Sequence, residues 1–185
     1  AAGSCGQPFI GTQVRIVDPD TGVECPVGET GEVKVQGRNV MRGICGRTRD
    51  VTFDADGSYH TGDLGHVNAE GYLWYDGRLD DMFKVKGATV YPTEVESAIR
   101  RIAGVRQAHV TGVEEPSGAQ SVGAVVVTSL SLEEIRASAR TTLSSFKVPT
   151  RWVLADSSDV IPTTATDKVD RSALQKLLRE EGTHT

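Results

Sequence analysis

With 185 residues, 38% of them hydrophobic, and a formal net charge of −5, the chain is long enough for one larger domain or two small ones, and either can bury a core. The mild acidity argues against nucleic acid or an anionic membrane as the main partner, and no apolar run approaches the ~20 residues of a transmembrane segment. The opening AAGSCGQPF has neither the basic nor the apolar region of a secretory leader. Cys5, Cys25 and Cys45 are odd in number and widely spaced, with no metal-ligand pairing, which points to a reducing, cytoplasmic compartment. The chain opens abruptly on a residue other than methionine and reads as a piece of something longer.

Two textures follow one another. TQVRIVD (Thr12–Asp18) and GEVKVQG (Gly31–Gly37) alternate as strands, the first closed by a PDTG turn through Gly22, and GYLWYDGR (Gly71–Arg78) is a further strand leaving a Glu-Gly turn. Glycine is dense and helix signals are poor, which suits an antiparallel sheet or open barrel. Between the strands, YHTGDLG (Tyr59–Gly65) reads as a turn that holds Asp63 clear of its own sheet.

From about residue 81 the pattern changes. DMFKVKGATVYP forms a small hairpin through Gly87, with Lys84 and Lys86 on one face of an extended strand. Pro92 opens a helix whose apolar stripe is Val95, Ala98, Ile99 and Ile102, ended by Gly104. VRQAHVTGV and SVGAVVVTS are strands, SLEE (Ser131–Glu134) is a capping box before a second helix, and RWVLA (Arg151–Ala155) is a third strand. A threonine-rich loop, IPTTATDK, carries Lys168 into a last helix with Leu174, Leu177 and Leu178 inward. The expected class is α+β: a strand-rich subdomain over residues 1–79, then a small mobile α+β domain over 80–185, with GRLDD as the junction.

Taken singly, the polar motifs are ambiguous. Asp63 can accept hydrogen bonds from a vicinal diol or from its own turn. Arg78 is a rigid fork for ribose or phosphate oxygens, or the partner of a nearby aspartate. Tyr75 can line a nucleotide or pack a strand, Lys84 and Lys86 can attract polyphosphate or be solvated, and Phe146 can support an adenine ring or seat a strand. There is no Walker-type loop, nucleophile elbow, zinc spacing or Cys-His constellation.

In order, however, YHTGD, DGRLDD, KVKGATVYPTEVE and IPTTATDKVDR resemble the C-terminal part of the adenylate-forming acyl-CoA synthetases, the superfamily of firefly luciferase and the peptide-synthetase adenylation domains. The resemblance implies a two-step reaction. A carboxylic acid, of the fatty-acid kind, reacts with ATP to give an acyl-adenylate and pyrophosphate; coenzyme A then displaces AMP to give a thioester. It further implies that Asp63 and Arg78 hold the AMP ribose, with Tyr75 against the nucleotide. By the same resemblance, Asp80 is expected to be the hinge about which the small domain rotates between steps, Gly87 to lie beside the pantetheine tunnel with Lys86 and Phe146 as further coenzyme A contacts, and Lys168 to reach the active site for adenylation.

Three departures stand out. Asp167 occupies a position where the family often has glycine. GICGRTRDVTFDADG replaces the more usual segment before the Thr-Gly-Asp motif. The upstream half, with its phosphate loop, adenine platform, magnesium-binding glutamate and acyl pocket, is not in the sequence. The expected partner is therefore that N-terminal domain, with Mg2+ bound there rather than here, and the isolated chain is expected to be inactive. Two alternatives stand beside this reading: an adenylation domain that loads a carrier protein, and a non-catalytic module that has kept the fold.

Overall fold

The computed structural model describes residues 2–184 and divides into two compact units, Ala1–Asp80 and Asp81–Thr185. In the first, β1 (Thr12–Val17), β2 (Gly31–Gly37), β3 (Tyr59–Val67) and β4 (Leu73–Arg78) form one antiparallel sheet in chain order. Ile16, Val17, Val33, Phe53 and Leu64 are buried in it. The segment read as a turn is a nine-residue strand, β3. Its glycines mask the strand pattern, yet Gly65 sits where a β-carbon would lie 2.4 Å from the Trp74 carbonyl oxygen. Such a close approach is a common reason for glycine within a strand.

The second unit begins with the hairpin β5 (Phe83–Val85) and β6 (Ala88–Val90), then α1 (Pro92–Arg100). A four-stranded sheet follows, with spatial order β10 (Thr183–His184), β9 (Arg151–Ala155), β8 (Gln120–Thr128), β7 (Val105–Glu114). The chain passes from β8 through α2 (Leu132–Thr142) to the parallel strand β9, a β-α-β crossover, and α3 (Arg171–Glu180) follows. Alternate residues of β8 serve two cores. Val122, Ala124 and Val126 pack with Val95 and Ile99 of α1 and Ile135 and Ala139 of α2; Val125 and Val127 pack with Leu174 and Leu178 of α3. Burial on both faces explains why β8 is apolar almost throughout instead of alternating.

Local signals account for the helix starts. Pro92 stands at the first turn of α1. The Ser131–Glu134 capping box is complete, with the Ser131 amide donating to Glu134 at 2.8 Å. Asp170 caps α3 by accepting from the Ala173 amide at 3.0 Å. The end of α1 differs from expectation: the helix stops at Arg100, and Gly104 lies beyond it, φ +96°, against Leu130.

His109 on β7 has consequences for pH. Burial pushes its imidazole below the ordinary value of 6.5; Glu96 draws it back up, while Arg100 and Arg171 push it further down. The unfolded chain therefore takes up a proton at His109 before the folded one does. Stability of this unit should be intact above about pH 6.5 and fall on acidification until the folded-state pKa is passed, with a slope from this group of at most about 1.4 kcal/mol per pH unit. Urea midpoints between pH 7.5 and 5 should show this slope, and His109→Gln should flatten it.

Candidate functional site

In the first unit, three of the residues singled out lie together. Asp63 on β3 and Arg78 at the end of β4 are partners in register. The Asp63 carboxylate accepts from Arg78 Nη1 at 2.7 Å, and Asp80 Oδ2 stands 3.8 Å from Nη2. Asp63 is thus a strand residue engaged by its neighbour, a correction to the free carboxylate in a turn. Asp63 and the backbone carbonyl of Thr61 both receive Arg78 Nη1. The Asp63 interaction, ahead of the opposing effect of burial, raises the guanidinium pKa. Both side chains are about two-fifths exposed, at 38% and 43%. An exposed pair of this kind contributes roughly 0.2–1 kcal/mol, so a diol presenting two hydroxyls can compete for the same carboxylate.

The segment before Asp63 sets its direction. Thr61 Oγ1 donates to the Val33 carbonyl at 2.6 Å and accepts the Asp63 amide at 2.9 Å. Gly62 adopts φ +67°, and a β-carbon there would lie 3.0 Å from Arg78 Nη2. Glycine is favoured by the left-handed backbone, and a side chain there would have to push the guanidinium aside by a few tenths of an ångström. The Leu64/Gly65 register shift follows immediately, a bulge that re-aims neighbouring side chains. Thr61 and Gly62 were not singled out from sequence; the signal present was Thr-Gly ahead of Asp, a hydroxyl that closes a turn onto the backbone two residues on. Tyr75, on β4, is 51% exposed and is register partner to Gly65.

The other residues lie in the second unit. Lys86 and Gly87 form the two-residue turn between β5 and β6, at φ +51° and +84°. Positive φ at both central positions is the signature of a type I′ hairpin, whose twist matches the strands. Lys86 is therefore a turn-tip residue, not on one strand face with Lys84, because an extended conformation cannot supply that φ. A β-carbon on Gly87 would meet nothing within 4 Å, so within this unit the glycine is explained by the turn. Phe146, in the loop before β9, is half-buried against the α1–α2 core. Its neighbour Lys147 lies 5.6 Å from the Phe146 ring and pairs with Glu94 at 2.7 Å, fastening that loop to α1.

Lys168 is on a hairpin rather than an extended loop. Thr163 bridges Val169, the Thr164 amide donates to the Lys168 carbonyl at 2.7 Å, and the Asp167 amide donates to the Thr164 carbonyl at 3.0 Å. Asp167 takes φ +57°. Glycine is the easiest residue in that left-handed position, and aspartate is among the few others that enter it. Asp167 therefore fits the turn that presents Lys168. Residues Thr163 to Lys168 are exposed, and no hydrogen bond or ion pair is formed by the Lys168 ammonium among the described residues. Asp167→Val should destabilise the hairpin by about 1–2 kcal/mol, since a β-branched side chain resists left-handed backbone. Asp167→Gly should be near neutral, because relief of φ is offset by about 0.5–1 kcal/mol of added unfolded-state entropy. Exchange of the Thr164 and Asp167 amides reads both effects.

Among the described residues, no group of three or more His, Cys, Asp or Glu is placed to hold a metal ion. No helix is long and apolar enough to cross a membrane.

Comparison with known proteins places this arrangement. The AMP-binding enzyme family matches residues 1–45, and the AMP-binding enzyme C-terminal domain matches residues 94–168. The chain is 36% identical to a feruloyl-CoA synthase from Amycolatopsis sp. over 180 residues, 94% of this chain and 36% of that one. The ATP-bound crystal structure of MatB from Rhodopseudomonas palustris superposes with a TM-score of 0.84 at 30% identity, covering 96% of this chain and 36% of that one. O-succinylbenzoate coenzyme A synthetase (MenE) from Bacillus subtilis, in complex with ATP and magnesium ion, gives a TM-score of 0.79 at 30% identity, covering 95% and 36%. The chain belongs to the adenylate-forming, AMP-binding enzyme family. It spans about a third of the length of the relatives it matches, 36% in each case above.

Proposed function

We propose that this chain is the C-terminal part of an AMP-forming acid–thiol ligase, which converts a carboxylic acid, ATP and coenzyme A into an acyl-CoA, AMP and pyrophosphate. One observation carries the reading: a carboxylate–guanidinium pair suited to a ribose, Asp63–Arg78, stands on one compact unit, and on the next stands Lys168 on a shaped hairpin, its ammonium without a partner among the described residues. Family membership supplies the chemistry to which these groups apply.

In the first step a substrate carboxylate oxygen attacks the α-phosphorus of ATP, and pyrophosphate leaves. Asp63 accepts the ribose hydroxyls and Arg78 donates to the ribose, which fixes the nucleotide against translation. The Lys168 ammonium meets the substrate carboxylate and the phosphate oxygens as negative charge moves toward the leaving group, a preorganised electrostatic contribution of roughly a few kcal/mol. In the second step the thiol sulfur of coenzyme A attacks the acyl carbonyl carbon, and AMP leaves with its phosphate oxygen. Gly87, at the tip of the β5–β6 hairpin, leaves room for the pantetheine arm, with Lys86 and Phe146 as further coenzyme A contacts. Asp80 is the hinge that exchanges the two unit-two surfaces between steps, so that domain comprises residues 80–185. Magnesium, the acyl pocket and the choice of acid, fatty or aromatic, belong to the upstream part, and the whole enzyme acts in the cytoplasm.

The test is product analysis of the full-length enzyme with ATP, magnesium, coenzyme A and a panel of alkyl and aryl acids. An acyl-CoA and AMP are expected. Acyl transfer only to a phosphopantetheinyl carrier, or no adenylate with any acid, would overturn the ligase reading in favour of a carrier-loading or a non-catalytic role.

A further inference from the structure

Arg171, the first residue of α3, draws together segments distant in sequence. Its Nη2 pairs with Asp81 Oδ2 at 2.9 Å, its Nη1 donates to the Val110 carbonyl at 2.8 Å, and Nη1 lies 4.0 Å from Glu96 Oε1. Glu96 is a buried carboxylate on α1, with 9% of its side chain exposed. Its Oε1 accepts the Val110 amide at 3.0 Å, and Arg100 Nη1 stands 3.4 Å from its Oε2. A buried carboxylate is costly unless compensated; here a backbone amide and two guanidinium groups surround it.

The position is unfavourable for a cation on local grounds. The start of a helix carries partial positive charge, which favours anions, and the first turn of α3 contains no acidic residue. A cation placed there against the helix dipole is compensated by its tertiary partners. Those partners join the residue next to the proposed hinge, Asp81, to the helix that follows the Lys168 hairpin. The hairpin is tied to the same helix start, since Asp170 both donates its amide to the Pro162 carbonyl at 2.9 Å and caps α3. Arginine suits the role because its planar fork can hold a carboxylate and a carbonyl at once.

We propose that Arg171 is a positioning residue for adenylation: it locks the Lys168 hairpin and the hinge-proximal Asp81 into one rigid body, so that rotation at Asp80 delivers the ammonium at a fixed place. The catalytic part of this assignment rests on the adenylation role proposed for Lys168; the mechanical part does not.

Two measurements test it. In the 185-residue chain, Arg171→Gln is expected to speed amide exchange at Thr164, Asp167 and Asp170 by about tenfold, leaving Val125 and Val126 in central β8 unchanged, because local opening costs less than global opening. Arg171→Lys, which keeps the charge but loses the fork, is expected to fall between. Unchanged exchange in the hairpin, or equal acceleration everywhere in both variants, would overturn the assignment. In the full-length enzyme, Arg171→Gln is expected to lower the adenylation kcat by about ten- to a hundredfold with KM for ATP unchanged, to spare thioester formation from supplied acyl-adenylate, and to have no further effect when Lys168 is already alanine. Parallel loss in both half-reactions, or additivity with Lys168→Ala, would show a general structural role instead. A wild-type enzyme that forms no adenylate would refute the proposed function, and the exchange measurement would still decide whether Arg171 holds the hairpin.

Discussion

Lys168→Ala in the full-length enzyme is expected to slow acyl-adenylate formation by about 10²–10³-fold, the scale for removing one well-placed donor from a site of developing charge. Thioester formation from supplied acyl-adenylate should be largely intact. The asymmetry follows from where the ammonium sits. It is exposed on the returning arm of a hydrogen-bonded hairpin, directly after the turn, and satisfies no acceptor among the described residues, so its removal leaves no buried partner unpaired and should hardly change stability. What is lost is stabilisation of charge passing to pyrophosphate, which exists only in the first half-reaction. Arginine should not substitute fully, because its fork is larger and its geometry fixed. Single-turnover assays of the two half-reactions, with the thermal midpoint as control, separate these effects. Equal loss in both halves would contradict the role.

Asp63→Ala should behave differently. In its proposed role Asp63 holds the ribose in the ATP complex and in the acyl-adenylate complex alike, so both half-reactions should fall. Two hydrogen bonds to a carboxylate are worth about 1.5–3 kcal/mol each, which corresponds to a fall in kcat/KM for ATP of roughly 10²-fold or more. The same substitution removes the 2.7 Å partner of Arg78, but that exposed ion pair contributes only about 0.2–1 kcal/mol to folding. A large loss in nucleotide use with a small loss of stability is therefore expected. Asp63→Asn separates charge from shape: it retains one acceptor and should recover part of the affinity. Calorimetric titration with AMP and urea unfolding, on the same variants, measure the two quantities. A fall in stability as large as the fall in nucleotide binding would mean that Asp63 acts mainly to hold the sheet.

The parts of this molecule that were legible in its sequence are those governed by local rules. β1 and β2 alternate; Ser131 and Glu134 stand at capping-box spacing; Pro92 opens a helix; the apolar run of β8 marks a strand buried on both faces. Where backbone geometry overrides side-chain pattern, the sequence misleads. β3 carries Gly62 and Gly65, which read as a turn but serve a left-handed residue under Arg78 and a close approach to Trp74. Lys86 looks like a strand residue by its spacing from Lys84, and only the positive φ moves it to the turn. Asp167 appears as a departure from a family pattern until its φ shows a position that glycine or aspartate can fill. The Arg171 assembly was invisible for another reason: it joins residues 81, 96, 110 and 171, and no local rule connects such distant positions. Glu96 lies outside the apolar stripe of α1, so the helical pattern does not mark it as a buried charge that needs partners.

The most direct test of the central claim is pyrophosphate release, with ATP, magnesium and an acid substrate of the full-length enzyme, measured for this chain alone and for this chain mixed with the separately produced upstream portion. The claim is that these residues supply a ribose-holding edge and the adenylating lysine to an active site completed elsewhere. No release by the chain alone, release on mixing, and loss of that release with Lys168→Ala are expected. Release by the chain alone above its own Lys168→Ala control would contradict the account, since it would mean that the whole adenylating site is built within these residues.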